Sequence, residues 1–392
     1  MPTNLNREAQ VEWDKYLQAS GTEEQIMHLE RFLGVVVKHK GVENHLRMVK
    51  QKLKRLKAQQ EKLRQSKKGS GEKWLIPKGE DAQVAIIGTT NSGKSSFLNN
   101  LAQAEATKVG AYPFTTVKPA VGSITAKGAR IQLVELPAIV KGSSRGEMSG
   151  KLVLAGIRNA DCLLISIDLS QDPIQQLELV LNELDKGKIR VNVTRPAVTI
   201  EKVGSGNIQV FNSHFFAGKG KEAVIEIMRV NGFLNAIVRF HGPTSVDQFL
   251  DALDRSISYL PGIMIATKGD LEGSKQNFTN LINYLREKGL SFEVVPVSTY
   301  PQEGFEGLEE KIFGSLQKIR IYTRDTNGEI AERPIILDTH QATVQSAIEV
   351  LSKKMLKHFR FARIWGSSAS FDGEKVGLDR NLSDGDVIQV FT

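Results

Sequence analysis

The feature that most constrains this chain is Gly88-Thr89-Thr90-Asn91-Ser92-Gly93-Lys94-Ser95. It lies between a β-rich run, QVAIIG (83–88), and a helical run, SFLNNLAQ (96–103). Glycines at the two ends let the backbone approach an anion closely. Successive N–H groups and the helix N-terminus can then cradle phosphate oxygens. In such a loop Lys94 reaches the outer phosphates and the Ser95 hydroxyl suits a magnesium ion, while Thr89, Thr90, Asn91, Ser92 and Ser96 line the turn. A glycine turn can match this spacing by chance, but here strand and helix fall on the correct sides.

Further short β-rich runs follow, ARIQLVEL (129–136), CLLISIDL (162–169), GIMIATKG (262–269) and FEVVPVS (292–298), with helical segments between most of them. That alternation predicts an α/β domain with a parallel-type sheet over 82–318. A crossover needs only a dozen or more residues, yet 91 separate Ser170 from Gly262. An inserted α+β subdomain is therefore expected at 171–242, with residues 188–212 turning as a β-hairpin. Residues 1–71 read as a helical hairpin. Thr22 and Gln25 form a capping box, and Leu46, Val49, Leu53, Leu56 and Leu63 make one apolar seam, ending in a flexible stretch at Lys67–Gly71. The seam suits either an intramolecular hairpin or an intermolecular coiled coil. From 319 to 392, two strands around Thr326-Asn327-Gly328, a helix at 343–357 and further strands predict a ubiquitin-like α+β module.

Composition matters where it is uneven. Lysine and arginine number 52 against 44 acidic residues, and residues 50–68 hold nine basic residues and one acidic one, so the whole surplus sits there. That local field suits a polyanion such as RNA, with Lys50, Lys54, Lys57 and Arg64 as contacts; a solvated helix face has the same composition. Cys162, the single cysteine, excludes an intrachain disulfide and reads as a buried thiol. The absence of an 18-residue apolar run and the polar N-terminus lead to the expectation of a cytoplasmic protein without a membrane partner. His214, His241, His340 and His358 lack ligand spacing. Trp365 reads as packing rather than base stacking, and the basic run Lys353–Arg360 as either an RNA contact or a solvated face.

The base-recognition signal is Thr267-Lys268-Gly269-Asp270, at the end of a later strand, where ligands of open α/β sheets bind. A carboxylate there accepts from the N1–H and 2-amino groups of guanine, and the lysine stem can cover the ring. Ser298 and Thr299 end the next strand and can offer a backbone N–H to O6. GTP and GDP become the expected ligands. Between these motifs, Thr115 and Thr116 supply hydroxyls for magnesium when a γ-phosphate is present. Glu135-Leu136-Pro137-Ala138 ends a strand where an acid and a turn can sense that phosphate.

The series GTTNSGKS, YPFTT, ELPAIVKG, TKGD and VST resembles the Obg-related GTPases of the TRAFAC class, specifically the developmentally regulated GTP-binding (DRG) branch. Residues 319–392 resemble a TGS domain. The resemblance implies an N-terminal helical hairpin, an interrupted G domain and a ribosome-associated GTPase acting in translation. It also implies potassium held partly by Asn91, because the water-positioning glutamine of Ras-like enzymes is replaced by Ile139. Where the family has D-x-P-G, this chain has Glu135 and Ala138; Thr267 stands for the usual asparagine. The expected function is GTP hydrolysis at a slow rate, with Lys94, Thr115, Thr116 and Glu135 as catalytic candidates. Partners would be the ribosome or rRNA, and a protein on the hairpin or TGS module. The alternatives are a GTP-binding adaptor with little or no hydrolysis, and a primarily RNA-binding protein.

Overall fold

The computed structural model describes residues 5–19, 21–37, 42–68, 76–102, 120–218, 220–299 and 302–392. The chain opens with α1 (Arg7–Gln18), α2 (Thr22–Val35) and α3 (Glu43–Lys68). Next come β1 (Ala82–Gly88), α4 (Lys94–Leu101), β2 (Ala120–Ala126), β3 (Ala129–Glu135), α5 (Gly150–Asn159), β4 (Cys162–Asp168) and α6 (Pro173–Lys186). β5 (Ile189–Val191) leads into β6 (Val198–Lys202), β7 (Ile208–Phe211), α7 (Gly220–Val230), β8 (Ala236–Phe240) and α8 (Val246–Leu253). The chain continues with β9 (Ser258–Leu260), β10 (Gly262–Thr267), α9 (Ser274–Glu287), β11 (Glu293–Pro296), β12 (Ser298–Thr299), β13 (Gln302–Glu303) and α10 (Leu308–Ser315). Last are β14 (Lys318–Thr323), β15 (Ile335–Asp338), α11 (Val344–Leu351), α12 (Lys353–His358), β16 (Phe361–Trp365), β17 (Glu374–Val376) and β18 (Val387–Phe391). These elements form two units, one from Met1–Glu72 and Thr194–Ile257, the other from Lys73–Val193 and Ser258–Thr392.

The second unit is built on a six-stranded sheet in the order β11-β10-β4-β1-β3-β2. β1, β4 and β10 are buried along their whole length, which is why they read as unbroken apolar runs. On β1, Val84 and Ile86 pack with Phe97 and Leu98 of α4 and Ile312 of α10, whereas Ala85 and Ile87 face Ile157 of α5, Val180 of α6 and Leu281 of α9. Helices therefore cover both faces, and burying each large aliphatic side chain stabilises the unit by about 1.5–3 kcal/mol. The sheet is parallel except for β2, an unexpected strand that runs antiparallel to β3. α6 belongs to this core through Leu177, Val180 and Leu184, so the α+β insertion does not begin at 171 as the sequence suggests; its sheet spans 198–240.

The C-terminal module has a five-stranded sheet, β15-β14-β18-β16-β17, with α11 and α12 packed on one face through Ala347, Ile348, Ala362, Ile364 and Ile388. The single helix expected at 343–357 breaks at Ser352, whose hydroxyl oxygen accepts from the Lys354 N–H at 3.2 Å and caps α12. Trp365 alternates with the buried Ala362 and Ile364 and is half-buried, with the Arg324 guanidinium over its ring.

The first unit corrects two expectations. Its N-terminal part has three helices rather than a hairpin of two. Trp13 of α1 packs on Phe32 of α2 and on His45 of α3, with ring centroids 5.5 and 4.7 Å apart. The seam residues Val49 and Leu56 are buried with Ala9, Ile26 and Leu29, so the seam is intramolecular as far as Leu56. The N-cap of α2 is Gly21, one residue before the expected capping box. Of the stretch expected to be flexible at 67–71, Lys67 and Lys68 belong to α3, and 69–71 lie outside the described residues. In the insertion, β6 and β7 do not pair as a hairpin: β8 lies between them, antiparallel to β6 and parallel to β7. The insertion shares a unit with the N-terminal helices, where Asp14 accepts from the Gly204 N–H at 3.0 Å.

Candidate nucleotide site

Five strand ends in the central sheet supply the site. β1 runs into the glycine loop, β3 ends at Glu135, β4 at Asp168, β10 at Thr267, and Ser298 follows β11. Gly88 is required by space: a Cβ there would lie 2.5 Å from the Ser166 carbonyl oxygen. Asn91 (φ 60°) and Gly93 (φ 83°) are left-handed, a backbone arrangement that turns N–H groups toward an anion. No side chain caps α4 at Gly93, so its first-turn N–H groups are free of a side-chain acceptor.

The loop is tied down from behind. The buried Ser92 carbonyl accepts from Ser166 Oγ and, at 2.9 Å, from Thr267 Oγ1. Thr267 is itself buried, so it positions the loop rather than facing a base. Lys94 is 7% exposed and folds back on the loop, donating to the Thr89 carbonyl at 2.6 Å. Burial lowers its pKa, partly opposed by the Glu135 carboxylate. Thr89 Oγ1 donates to Gln176 Oε1 at 3.3 Å, and Thr90, Ser95 and Ser96 are exposed. The exposed Asn91 side chain makes no hydrogen bond to its own loop.

On the base side, Lys268 adopts φ 60° and its ammonium donates to the buried Asp168 carboxylate at 2.5 Å. Burial pushes Asp168 up, but hydrogen bonds from Lys268 and from the Ser170 N–H and hydroxyl outweigh it and hold the carboxyl below its usual value. Asp270 is exposed and accepts from Ser298 Oγ at 2.9 Å, which leaves acceptor capacity for further donors. Thr299 contributes backbone to the two-residue pairing with Gln302.

On the phosphate side, Glu135 Oε1 accepts from Ser95 Oγ at 2.5 Å. The Ile139 N–H donates to the Gly88 carbonyl at 2.9 Å, holding the turn along the loop. Ala138 is not in the positive-φ region, so the turn here does not require the conformational freedom of glycine. The turn continues into a segment anchored by Glu183 of α6, whose buried carboxylate accepts from the N–H groups of Gly142 at 3.0 Å and Ser144 at 2.8 Å. Burial raises the pKa of Glu183, and these hydrogen bonds outweigh it, leaving the group below its ordinary value. Thr115 and Thr116 lie outside the described residues.

The glycine loop, the acid–turn and the lysine–aspartate pair thus surround one set of strand ends, and comparison with known proteins agrees with that chemistry. Residues 83–198 match the family described as 50S ribosome-binding GTPase, 205–317 the C-terminal region of that domain, and 319–392 the TGS domain. A GTP-binding protein of Halobacterium salinarum is 34% identical over 374 residues, covering 94% of this chain and 99% of that one. One of Methanocaldococcus jannaschii is 31% identical, covering 94% and 93%. Developmentally-regulated GTP-binding protein 1 of Xenopus laevis is 30% identical over 380 residues, covering 95% and 99%. The chain belongs to the DRG family of GTP-binding proteins.

This DRG-family site uses four residues that motif reading passed over: Ser166, Asp168, Gln176 and Glu183. Asp168 had a visible signal, a carboxylate closing an otherwise apolar strand, and Glu183 had none beyond its place on an amphipathic helix. Thr267→Val, of similar shape, removes the hydroxyl that holds the Ser92 carbonyl. A net hydrogen bond is worth about 0.5–1.5 kcal/mol, so GDP affinity should fall by about two- to twelvefold. Guanine-over-adenine preference should be unchanged, and calorimetric titration with GDP and ADP measures both.

Proposed function

We propose that the chain is a slow GTPase whose nucleotide state governs association with ribosomal RNA, with Lys94 and Glu135 at the reacting phosphate and Asp270 on the guanine. The observation that carries this reading is the convergence of Lys94, the Ser95–Glu135 pair and Asp270 on one set of strand ends. Lys94 and the loop N–H groups stabilise charge on the γ-phosphate during in-line attack by water. The Ser95 hydroxyl and Glu135 carboxylate are hard oxygen donors, 2.5 Å apart, that suit magnesium, with Thr115 or Thr116 as a further ligand. Bound there, the ion would neutralise phosphate charge. Slow turnover follows from Ile139, buried where a polar side chain could otherwise orient water. Ribosome association is supported by the family description matched by residues 83–198.

The guanine assignment has a direct test. Asp270→Asn converts an acceptor into a donor opposite the 2-amino group, so GTP affinity should fall about ten- to a hundredfold. Affinity for xanthosine triphosphate should rise, because its 2-oxygen accepts. Unchanged GTP affinity removes Asp270 from the site.

Turnover should depend on potassium. Asn91 sits on the loop with a side-chain oxygen that no described residue engages, and a cation held there adds positive charge beside the phosphates. GTP hydrolysis in potassium should exceed that in sodium by about tenfold or more, and Asn91→Gly, which keeps the left-handed turn, should erase the difference while retaining GDP affinity. Phosphate release equally slow in both salts, and raised when Glu135 and Ala138 are changed to Asp and Gly, would favour the adaptor with little or no hydrolysis.

The RNA assignment rests on α3. Lys50, Lys54 and Lys57 are exposed, and Lys57 also pairs with Glu30 at 2.6 Å, an exposed contact of small energetic consequence. Changing Lys50, Lys54, Lys57 and Arg64 to Gln retains good helix formers. Affinity for rRNA should fall, and its log–log salt slope should become shallower by about 0.7–0.9 per lost phosphate contact. GTP affinity should hold. An identical slope in filter-binding titrations refutes the role of α3.

A further inference from the structure

The helices of the C-terminal module cover one face of its sheet, and strand register determines what stands on the other. Phe361 pairs with Phe391, Arg363 with Gln389, and Trp365 with Val387, while Lys375 lies beside Arg363 and Tyr322 beside Val387. The alternate positions Ile321, Ala362, Ile364 and Ile388 are buried in the core. The outward row therefore carries four aromatic rings, and cations stand over three of them. The Arg324 guanidinium is 4.7 Å from the Trp365 ring centroid, the Lys375 ammonium 4.2 Å from Phe361, and Arg363 5.8 Å from Phe391. Phe361 and Phe391 stack with centroids 4.5 Å apart and planes inclined by 14°. No carboxylate occurs at these outward positions.

We propose that this face binds single-stranded RNA, its bases stacking on the ring row and its phosphates meeting Arg324, Arg363 and Lys375. Core packing does not account for the rings, because they are half-exposed and the core is filled by the alternate residues. A merely solvated sheet face needs cations but no row of rings. A duplex offers phosphates yet hides its base faces, and an acidic peptide offers charge without planar groups to stack. A single strand uses both at once. The module joins the rest of its unit from the β14–β15 side, through Arg333–Asp81 at 3.2 Å and Lys318–Asp161 at 3.9 Å. Three of the four rings lie toward the opposite edge, on β18 and β16, with Lys375 beyond them on β17; Tyr322 stands on β14. This proposal extends the RNA-associated reading by naming the RNA class and a second contact surface, separate from α3.

The test uses the full chain and fluorescence anisotropy with a labelled oligouridine of about 12 nucleotides, within the span a single-strand-binding fold covers. Two variant sets divide stacking from charge. Phe361→Leu, Trp365→Leu and Phe391→Leu together should weaken binding about tenfold or more while leaving the salt slope intact. Arg324→Gln, Arg363→Gln and Lys375→Gln together should flatten the slope by about 2. If the triple leucine variant loses cooperative unfolding, Trp365→Leu alone carries the same expectation. Single-strand affinity unchanged by the leucine substitutions overturns the proposal, as does equal affinity for a duplex of the same length. Competition by polyglutamate as effective as that by unlabelled oligouridine also overturns it, in favour of an acidic protein partner. Repeating the titration with the α3 glutamine set separates the two RNA surfaces. If that set abolishes oligouridine binding and the leucine set does not alter it, the sheet face is refuted while the α3 assignment stands. The reverse pattern supports the sheet face and assigns the single-strand contact to it alone, while the rRNA titration decides α3.

Discussion

The nucleotide site depends on one acceptor, the carbonyl of Ser92. Two hydroxyls from different strands, Ser166 on β4 and Thr267 on β10, converge on it and fix the loop against the sheet. Such a tether is needed because Asn91 is in a left-handed conformation, which persists only where its surroundings over-determine it. Close packing does the rest. Gly88 leaves no room for a Cβ beside Ser166, and a Cβ on Gly93 would stand 3.3 Å from the Thr267 side chain. Threonine suits position 267 in this arrangement: its single hydroxyl hydrogen is shared between the Ser92 carbonyl and the Ile167 carbonyl at 3.1 Å, so a short side chain lies between the loop and β4.

Around that tether, buried carboxylates act as anchors. An isolated buried charge is costly, so each must be compensated by donors. Asp168 is compensated by Lys268 and Ser170, and holds the lysine of the base motif through its own left-handed backbone. Glu183 is compensated by two backbone N–H groups, and thereby fixes the segment that follows the phosphate-sensing turn. Both carboxyls are held below their ordinary pKa values, so both remain ionised anchors at neutral pH. Lys94 has the opposite bias, because burial lowers its pKa and Glu135 only partly restores it. A phosphate beside it would favour the charged form and relieve that bias.

What could be read from the sequence was local. The glycine loop, the strands β1, β3, β4 and β10, and the TKGD turn each carry their pattern within about ten residues. What could not be read depends on partners remote in the chain. β6 and β7 resemble a hairpin because they adjoin in sequence, but β8, arriving after α7, supplies better pairing to both. α1 was passed over because its buried face is sparse: Ala9 is buried, while Trp13 and Tyr16 are partly buried, in an otherwise polar segment. Trp365 shows a related limit. Alternation shows that a strand has two faces, but only the register against β18 and the position of α11 determine which face is covered.

The insertion leaves and re-enters the nucleotide unit through a short parallel pair, β5 with β9. Asn192, left-handed at φ 54°, closes that pair: its amide donates to the Gly262 carbonyl at 2.8 Å and accepts from the Gly262 N–H at 2.7 Å. A third bond, to the Ser291 carbonyl at 2.9 Å, ties the same side chain to the approach to β11. Gly262 is therefore held on both backbone groups, and Val191 approaches so closely that a Cβ there would lie 2.7 Å from it. From this point β10 runs fully buried to Thr267, the residue that holds the Ser92 carbonyl. The base of the insertion and the tether of the nucleotide loop are thus opposite ends of a single six-residue strand.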